Sequence, residues 1–405
     1  MKNLKPLVAV LIIYWILLSI ASAQTNRTDL VDYKTIKWNF TTNGAIHGSP
    51  VKSNNSVIFG SSDQYIYSVN KKTGDLIWKY KTEGAVFSTP AVSTNTVFCT
   101  SMDGNLYALD KKKGTLKWKF TSPIDHQQDI WDYHGCSPTI HDDLIYYGNG
   151  EGNFFAINKN TGEEEWSYQT NGAIHSTPVI HENKVFFGNF NGFFYALDKK
   201  NGSQLWKFNT IGQRWFPKGA VQQGASLHNN ILYFGSRDFN IYALNAETGR
   251  GMWNMYEQGS WVIATPVVAD TLLFFGTSDT HRFYAMDNRT GQVIWKKKLS
   301  LNVFGQCEVG AKLIYVGALD GKVYALRKKD GKIMWEFQTE ESKKGWKEVF
   351  NEHNKLSKRF IENHKHDMKG FYGKIHSLGS LVSKPLLDNG VLFVTSMNGK
   401  LYALE

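Results

Sequence analysis

The chain has little cysteine and little proline, and it lacks an apolar run long enough to span a bilayer as a helix. Its three cysteines, Cys99, Cys136 and Cys307, cannot form a paired disulfide framework. Nine prolines in 405 residues exclude a proline-rich or collagen-like chain. The N-terminal apolar run, Leu7 to Ile20, has 14 residues, short of the ~20 that a membrane-spanning helix needs. No long block of one charge accompanies the net charge of +10. There is no Walker loop, no Gly-x-Gly-x-x-Gly opening a helix, no Gly-x-Ser-x-Gly and no His-Glu-x-x-His. The phosphate cradles, nucleophile elbows and zinc helices those motifs build are therefore not expected.

What the chain does have is 36 glycines and 14% aromatic residues, which favours short strands joined by tight turns. Lys2 and Lys5, the apolar run and Ala21-Ser22-Ala23 read as a secretory signal over residues 1–23, cleaved before Gln24. The mature chain, 24–405, then carries 44 − 36 = +8 and no integral membrane segment. Export to a periplasm, a cell envelope or the medium makes nucleic acid an unexpected partner and leaves acidic surfaces as candidates. No cysteine follows the signal directly, so a lipid anchor at that point is not expected.

A repeat decides the fold. A Tyr-Ala-Leu-like triplet recurs at Tyr67, Tyr107, Phe155, Tyr195, Tyr242, Tyr284, Tyr324 and Tyr402. Trp78, Trp118, Trp166, Trp206, Trp253, Trp295 and Trp335 follow the first seven by 11 residues, each with Gly four residues before it. A period of 40 to 48 residues made of strand-like runs predicts propeller blades of four strands. The glycines suit turns that need positive φ, and the tryptophans suit packing of one blade on the next. After Tyr402 the next Trp would fall beyond Glu405, while an unmatched Trp38 stands near the N-terminus. The strand around Lys37 to Phe40 is therefore expected to complete a blade begun by the C-terminus. The prediction is an all-β, eight-bladed β-propeller, closed by the N-terminal strand.

Tyr-Ala-Leu-Asp, a Thr-Gly turn and Trp-x-Phe/Tyr, as in Tyr65 to Tyr80 and Phe193 to Phe208, resemble the pyrroloquinoline quinone (PQQ) type propeller repeat. The resemblance covers nearly the whole mature chain. It implies one of two activities. Quinoprotein alcohol and sugar dehydrogenases use the repeat with PQQ and calcium. Non-enzymatic periplasmic propellers similar to the BamB subunit of the outer-membrane β-barrel assembly machine use it as a scaffold. Fold alone does not choose.

The candidate site comes from connections that differ between repeats. Trp38, Trp78 and Trp166 lie 12 residues before Pro50, Pro90 and Pro178. The step from Trp118 to Pro138 is 20, that from Trp206 to its matching position, taken as Ser226, is also 20, and that from Trp335 to Pro385 is 50. These connections share one face of a propeller, and variation there marks the binding face. Asp129-Ile130-Trp131-Asp132-Tyr133 resembles the segment that carries the catalytic aspartate of the quinoprotein dehydrogenases. That resemblance makes Asp129 the first candidate base and Asp132 the second, although the family's adjacent cysteine pair is missing. His47, His134, His175 and Gln222 fall at the starts of inner strands and are expected to ring the channel mouth. Trp131, Arg214, Trp215 and Trp261 lie in the neighbouring loops as candidate ligand contacts; no metal set is recognised. The insertion, residues 338–383 between blades 7 and 8, shows helical spacing that predicts one amphipathic helix from about Glu341 to Asn363. His364-Lys365-His366-Asp367 has ligand-type residues without a metal spacing.

Three readings follow. The first is an exported, non-catalytic binding or scaffold propeller, cofactor-free, with a protein partner at the mouth. The second is a reduced PQQ-dependent alcohol or sugar dehydrogenase with calcium. The third is binding or cleavage of an acidic glycan at the mouth.

Overall fold

The computed structural model describes residues 28–405, so the expected signal peptide lies outside the described residues. Eight antiparallel sheets of four strands form the blades of a propeller, and three helices sit between blades 7 and 8. Blade 1 runs through Val51–Ser53, Ser56–Gly60, Tyr65–Asn70 and Leu76–Lys81, and the next six blades repeat that order.

Burial follows position in the blade. The second and third strands are sandwiched between neighbouring blades, so Ser56–Gly60 and Asn105–Asp110 are buried almost throughout. They read as continuous apolar runs because both faces meet another sheet. The outer strand Leu116–Thr121 alternates between exposed and half-buried positions, as a strand with one covered face should.

The Trp and Gly periodicities are two halves of one joint between blades. The Trp78 ring lies against Gly114, where a Cβ would come within 2.6 Å of it, and Gly114 also has φ +70°. Its indole N–H donates to Lys111 O at 3.0 Å. The same pairing joins Trp166 to Gly202 and Trp295 to Gly331. The glycine is required twice, by turn conformation and by the ring laid on it.

Closure departs from this pattern in an informative way. The strand Ile36–Thr41 pairs antiparallel with Lys400–Leu404, Thr41 opposite Lys400. Blade 8 therefore has no turn between its third and fourth strands, and Trp335 of blade 7 has no glycine to rest on. The segment before the first strand takes that place. Leu30 is buried in the same cluster as Trp335, and the Trp335 indole donates to Leu30 O at 2.9 Å. Asp29 meanwhile accepts from the backbone N–H groups of Ala311 and Lys312 at 3.0 and 2.7 Å.

Two expectations are corrected. Ser226 pairs with Tyr233 in the position that Val179 and Phe186 occupy one blade earlier, so Ala225, not Ser226, stands at the proline position. The insertion is three helices rather than one: α1 (Glu340–Val349), α2 (Lys358–His364) and α3 (Met368–His376). The break after α1 has a local cause. The Asn351 side chain accepts from the N–H groups of His353 and Lys355, and Asn354 takes φ +55°. Ser357 and Asp367 then cap α2 and α3 by accepting from Phe360 N–H and Gly370 N–H.

Candidate site at the plugged mouth

The connection between blades 2 and 3 crosses the mouth instead of skirting it. Its Tyr133 O accepts from His47 Nδ1 of blade 1 at 2.7 Å. Its Trp131 O accepts from Gln222 Nε2 of blade 5 at 3.2 Å. The Tyr133 ring lies 5.4 Å from Phe304 of blade 7. His134 meets Gln223 of blade 5 at 3.4 Å. One loop thus touches blades 1, 5 and 7 from its root at blade 2.

Two ionic joints fasten it further. His175 of blade 4 is clamped between Asp132 Oδ2 at 2.8 Å and Asp125 Oδ1 at 3.0 Å. Burial works against a charged imidazole there, but the Asp132 and Asp125 carboxylates outweigh it and push the His175 pKa up to about 10. Asp129 receives both Nη groups of Arg237, whose Nε donates to Gln222 Oε1 at 2.6 Å. The Arg237 guanidinium also lies 4.8 Å over the Trp261 ring.

The insertion covers this loop. Trp131 packs edge-to-face on Trp261 at 5.2 Å and on Tyr372 of α3 at 6.0 Å. Tyr133 Oη and His376 Nε2 are 3.3 Å apart. Tyr133, Trp261, Phe304, Leu319, Val349, Phe360, Ile375 and Val382 belong to one buried cluster. The mouth is a small second core, a plug. Burial pulls the pKa of His47 down to about 3 and those of His134 and His376 to about 4, so these stay neutral beneath it.

The expected site residues separate into two groups. His47, Trp131, Asp132, His134, His175, Gln222 and Trp261 are brought together as the plug and its anchors, with Asp129 at its edge. Arg214 and Trp215 are not part of it. Trp215 is 71% exposed, with the Arg214 guanidinium 5.1 Å over its ring. It borders a cleft of ≈ 670 Å3 that His126, Asp129, Glu151, Asn191 and Arg237 also line. The three histidines that motivated an acidic glycan reading are engaged inward. Among the described residues no group of three His, Cys, Asp or Glu is placed to hold a metal, and His364 Nδ1 is instead 2.9 Å from Phe360 O. All three cysteines are free and buried.

Arg237 and Asp125 were missed. Arg237 had a signal in the repeat: the same place in the other blades holds Ser62, Met102, Gly150, Phe190, Ser278, Leu319 and Met397, so it is the one charged residue of the set. Asp125 had none, since only folding shows which carboxylates reach His175.

Beneath the plug lies the central channel, a cavity of ≈ 800 Å3 reaching the opposite face at Asp388 and Asn389. Ser49, Thr89, Ser137, Thr177, Thr265 and Lys384 line it.

A family model described as outer membrane protein assembly factor BamB matches residues 30–207, 127–255 and 195–351 in overlapping registers. The chain belongs to that family. BamB of Moraxella catarrhalis superposes with a TM-score of 0.67 at 17% identity, over 92% of this chain and 99% of that one. A quinohemoprotein alcohol dehydrogenase of Comamonas testosteroni superposes with a TM-score of 0.71 at 13% identity, over 94% of this chain and 77% of that one. These likenesses show the fold. In sequence, the chain is 38% identical over 95 residues to the quinohemoprotein alcohol dehydrogenase of Comamonas testosteroni. It is 29% identical over 92 residues to the quinoprotein alcohol dehydrogenase PedH of Pseudomonas putida. The matched stretches span only 13% and 15% of those two relatives.

The plug does not fit a quinone. PQQ is flat and carries three carboxylates, so it needs an open slot and cations free to meet it. The mouth is filled by Trp131, Tyr133, Trp261 and Phe304, and Arg237 is committed to Asp129.

Proposed function

We propose that this chain is an exported, non-catalytic β-propeller that binds a protein partner on its plugged face. The observation that carries the reading is the loop 122–138 laid across the mouth, which turns the place where a cofactor would stack into packed core. Asp129 and Asp132, the candidate bases, each face a cation, Arg237 and His175. Both carboxylates are thereby engaged in ion pairs that hold the loop in place. Beside the plug, the exposed Trp215 borders the cleft that Glu151 and Arg237 line, and Ile124, Ile130 and Ile211 are exposed on the two loops that supply that cleft's Asp129 and Trp215. Exposed apolar anchors around a polar cleft suit a protein interface. Among the described residues no helix is long and apolar enough to cross a membrane.

The test pairs two measurements on the mature protein. Titration with PQQ and calcium, followed by Trp fluorescence and dye reduction with an alcohol and sugar panel, should give no saturation and no turnover. A photo-crosslinker at Trp215 should give one discrete adduct in envelope extracts, and one at Lys112 none. The dehydrogenase reading, for which the Asp129-to-Tyr133 resemblance speaks, requires the plug to open. Saturable quinone binding with turnover, both lost in Asp129→Asn, would establish it and sink the proposal.

A further inference from the structure

Where residues 351–357 lean over blades 6 and 7, they close a cleft of ≈ 540 Å3. Lys297, Lys298, Lys322, Lys355, His281 and His353 line it with the carboxylate of Glu336, and Glu352 lies 3.6 Å from His353 Nε2. Glu336 is taken by Lys322 at 2.9 Å, and the same ammonium sits 4.6 Å over the Trp346 ring. Lys297, Lys298 and Lys355 have no acidic partner among the described residues. Of the three, Lys297 is half-buried, while Lys298 and Lys355 reach the cleft from its exposed rim.

Like charges gathered in a concave, partly apolar cleft repel more strongly than on an open surface, because Tyr324, Ile333 and Leu356 exclude water from one side. The arrangement is also held in place. Asn351 N–H donates to Lys355 O at 2.8 Å, the Asn351 side chain accepts from Lys355 N–H at 3.1 Å, and Leu356 packs against the plug core. The Lys355 backbone is thus fixed by a closed turn.

We propose that this cleft is an oxyanion site, formed by the insertion, for a phosphate-bearing ligand. A bound phosphate supplies the missing counter-charge and accepts hydrogen bonds from up to three ammonium groups. The volume suits a diphosphate or a phosphorylated headgroup better than a lone ion. The cleft shares no lining residue with the one beside Trp215 and does not depend on the partner proposed there.

The test is calorimetric titration of the mature protein with inorganic phosphate and with pyrophosphate at low salt. Saturable binding is expected, tighter for pyrophosphate and weaker as salt rises. The variant Lys297→Gln/Lys298→Gln/Lys355→Gln should lose at least about tenfold in affinity, and Lys355→Gln alone part of it. A charge-matched control, Lys111→Gln/Lys112→Gln/Lys113→Gln on blade 2, should bind as wild type. Sedimentation with phosphatidylglycerol vesicles, against phosphatidylcholine, identifies the source. Co-sedimentation lost in the cleft variant means a lipid headgroup; pyrophosphate binding without it means a soluble phosphate compound. No saturable binding in either arm, or equal loss in the blade 2 control, overturns the proposal.

Discussion

At Gly114 the backbone must hold φ +70° while a neighbouring indole lies where a Cβ would be. Gly114→Ala should therefore cost at least ~1–2 kcal/mol from the left-handed conformation alone, and more from the ring it displaces. Gly251, with nothing within 4 Å of its Cβ position, is the control. Gly251→Ala should change the urea midpoint little, and equal effects at the two sites would contradict the Trp78–Gly114 joint. The histidines give a second residue-scale expectation. His47, His134 and His376 have folded pKa values below the usual 6.5. The unfolded chain then binds more protons between about pH 6.5 and 4, so stability falls as pH drops through that window. His175 has the opposite sign. Its folded pKa is raised to about 10, so its contribution is complete below pH 6.5 and fades as pH rises through 10. Urea midpoints from pH 4 to 10 should show both limbs. His376→Gln should flatten the acid one, and Asp125→Asn the alkaline one.

The insertion is the element that separates this molecule from a plain propeller. Replacing residues 340–378 by a short linker uncovers Trp131, Trp261 and Phe304 without touching a strand pairing. The far-ultraviolet spectrum should stay that of a β protein, while binding of a hydrophobic dye rises and thermal stability drops. Loss of the β spectrum would mean that the insertion is part of the propeller core. How much of this could be read in advance differs by element. The blades were legible because each repeats the same Trp, Gly and Tyr at fixed spacing, so eight copies average out local noise. The break of the insertion into three helices was less so. Its signals, Asn351, Ser357 and Asp367, are single residues with a local side-chain bond, and the first two sat inside an otherwise helical apolar pattern. The loop across the mouth was legible as different but not as a plug. Its partners His175, Gln222, Arg237 and Phe304 are 40 to 180 residues away, and nothing local states where such a loop lies.

For the whole ring, closure rests on Ile36–Thr41 and on the segment before it. Deleting residues through 34 removes Leu30 and Asp29, which uncovers Trp335 and frees the Ala311-Lys312 turn. That truncation should lower the melting temperature by several degrees but leave one cooperative transition. Deletion through 41 takes away a whole strand and leaves blade 8 with three. It should broaden the transition and promote association through the bared edge of Lys400–Leu404. Sharp melting of a monomer after that deletion would mean that the ring does not need its seal.

The same closure dictates an order of events in time. Lys37 meets Glu405 across 368 positions, so a strand made early is among the last to find its place. Blades 1 to 7 can each form from neighbouring stretches as the chain emerges. The strand Ile36–Thr41 must wait until its partner Lys400–Leu404 is available. Every newly made molecule thus passes through an open arc with a sticky free strand at one end and a bare blade at the other. Two such arcs, close together, could exchange strands before either closes on itself.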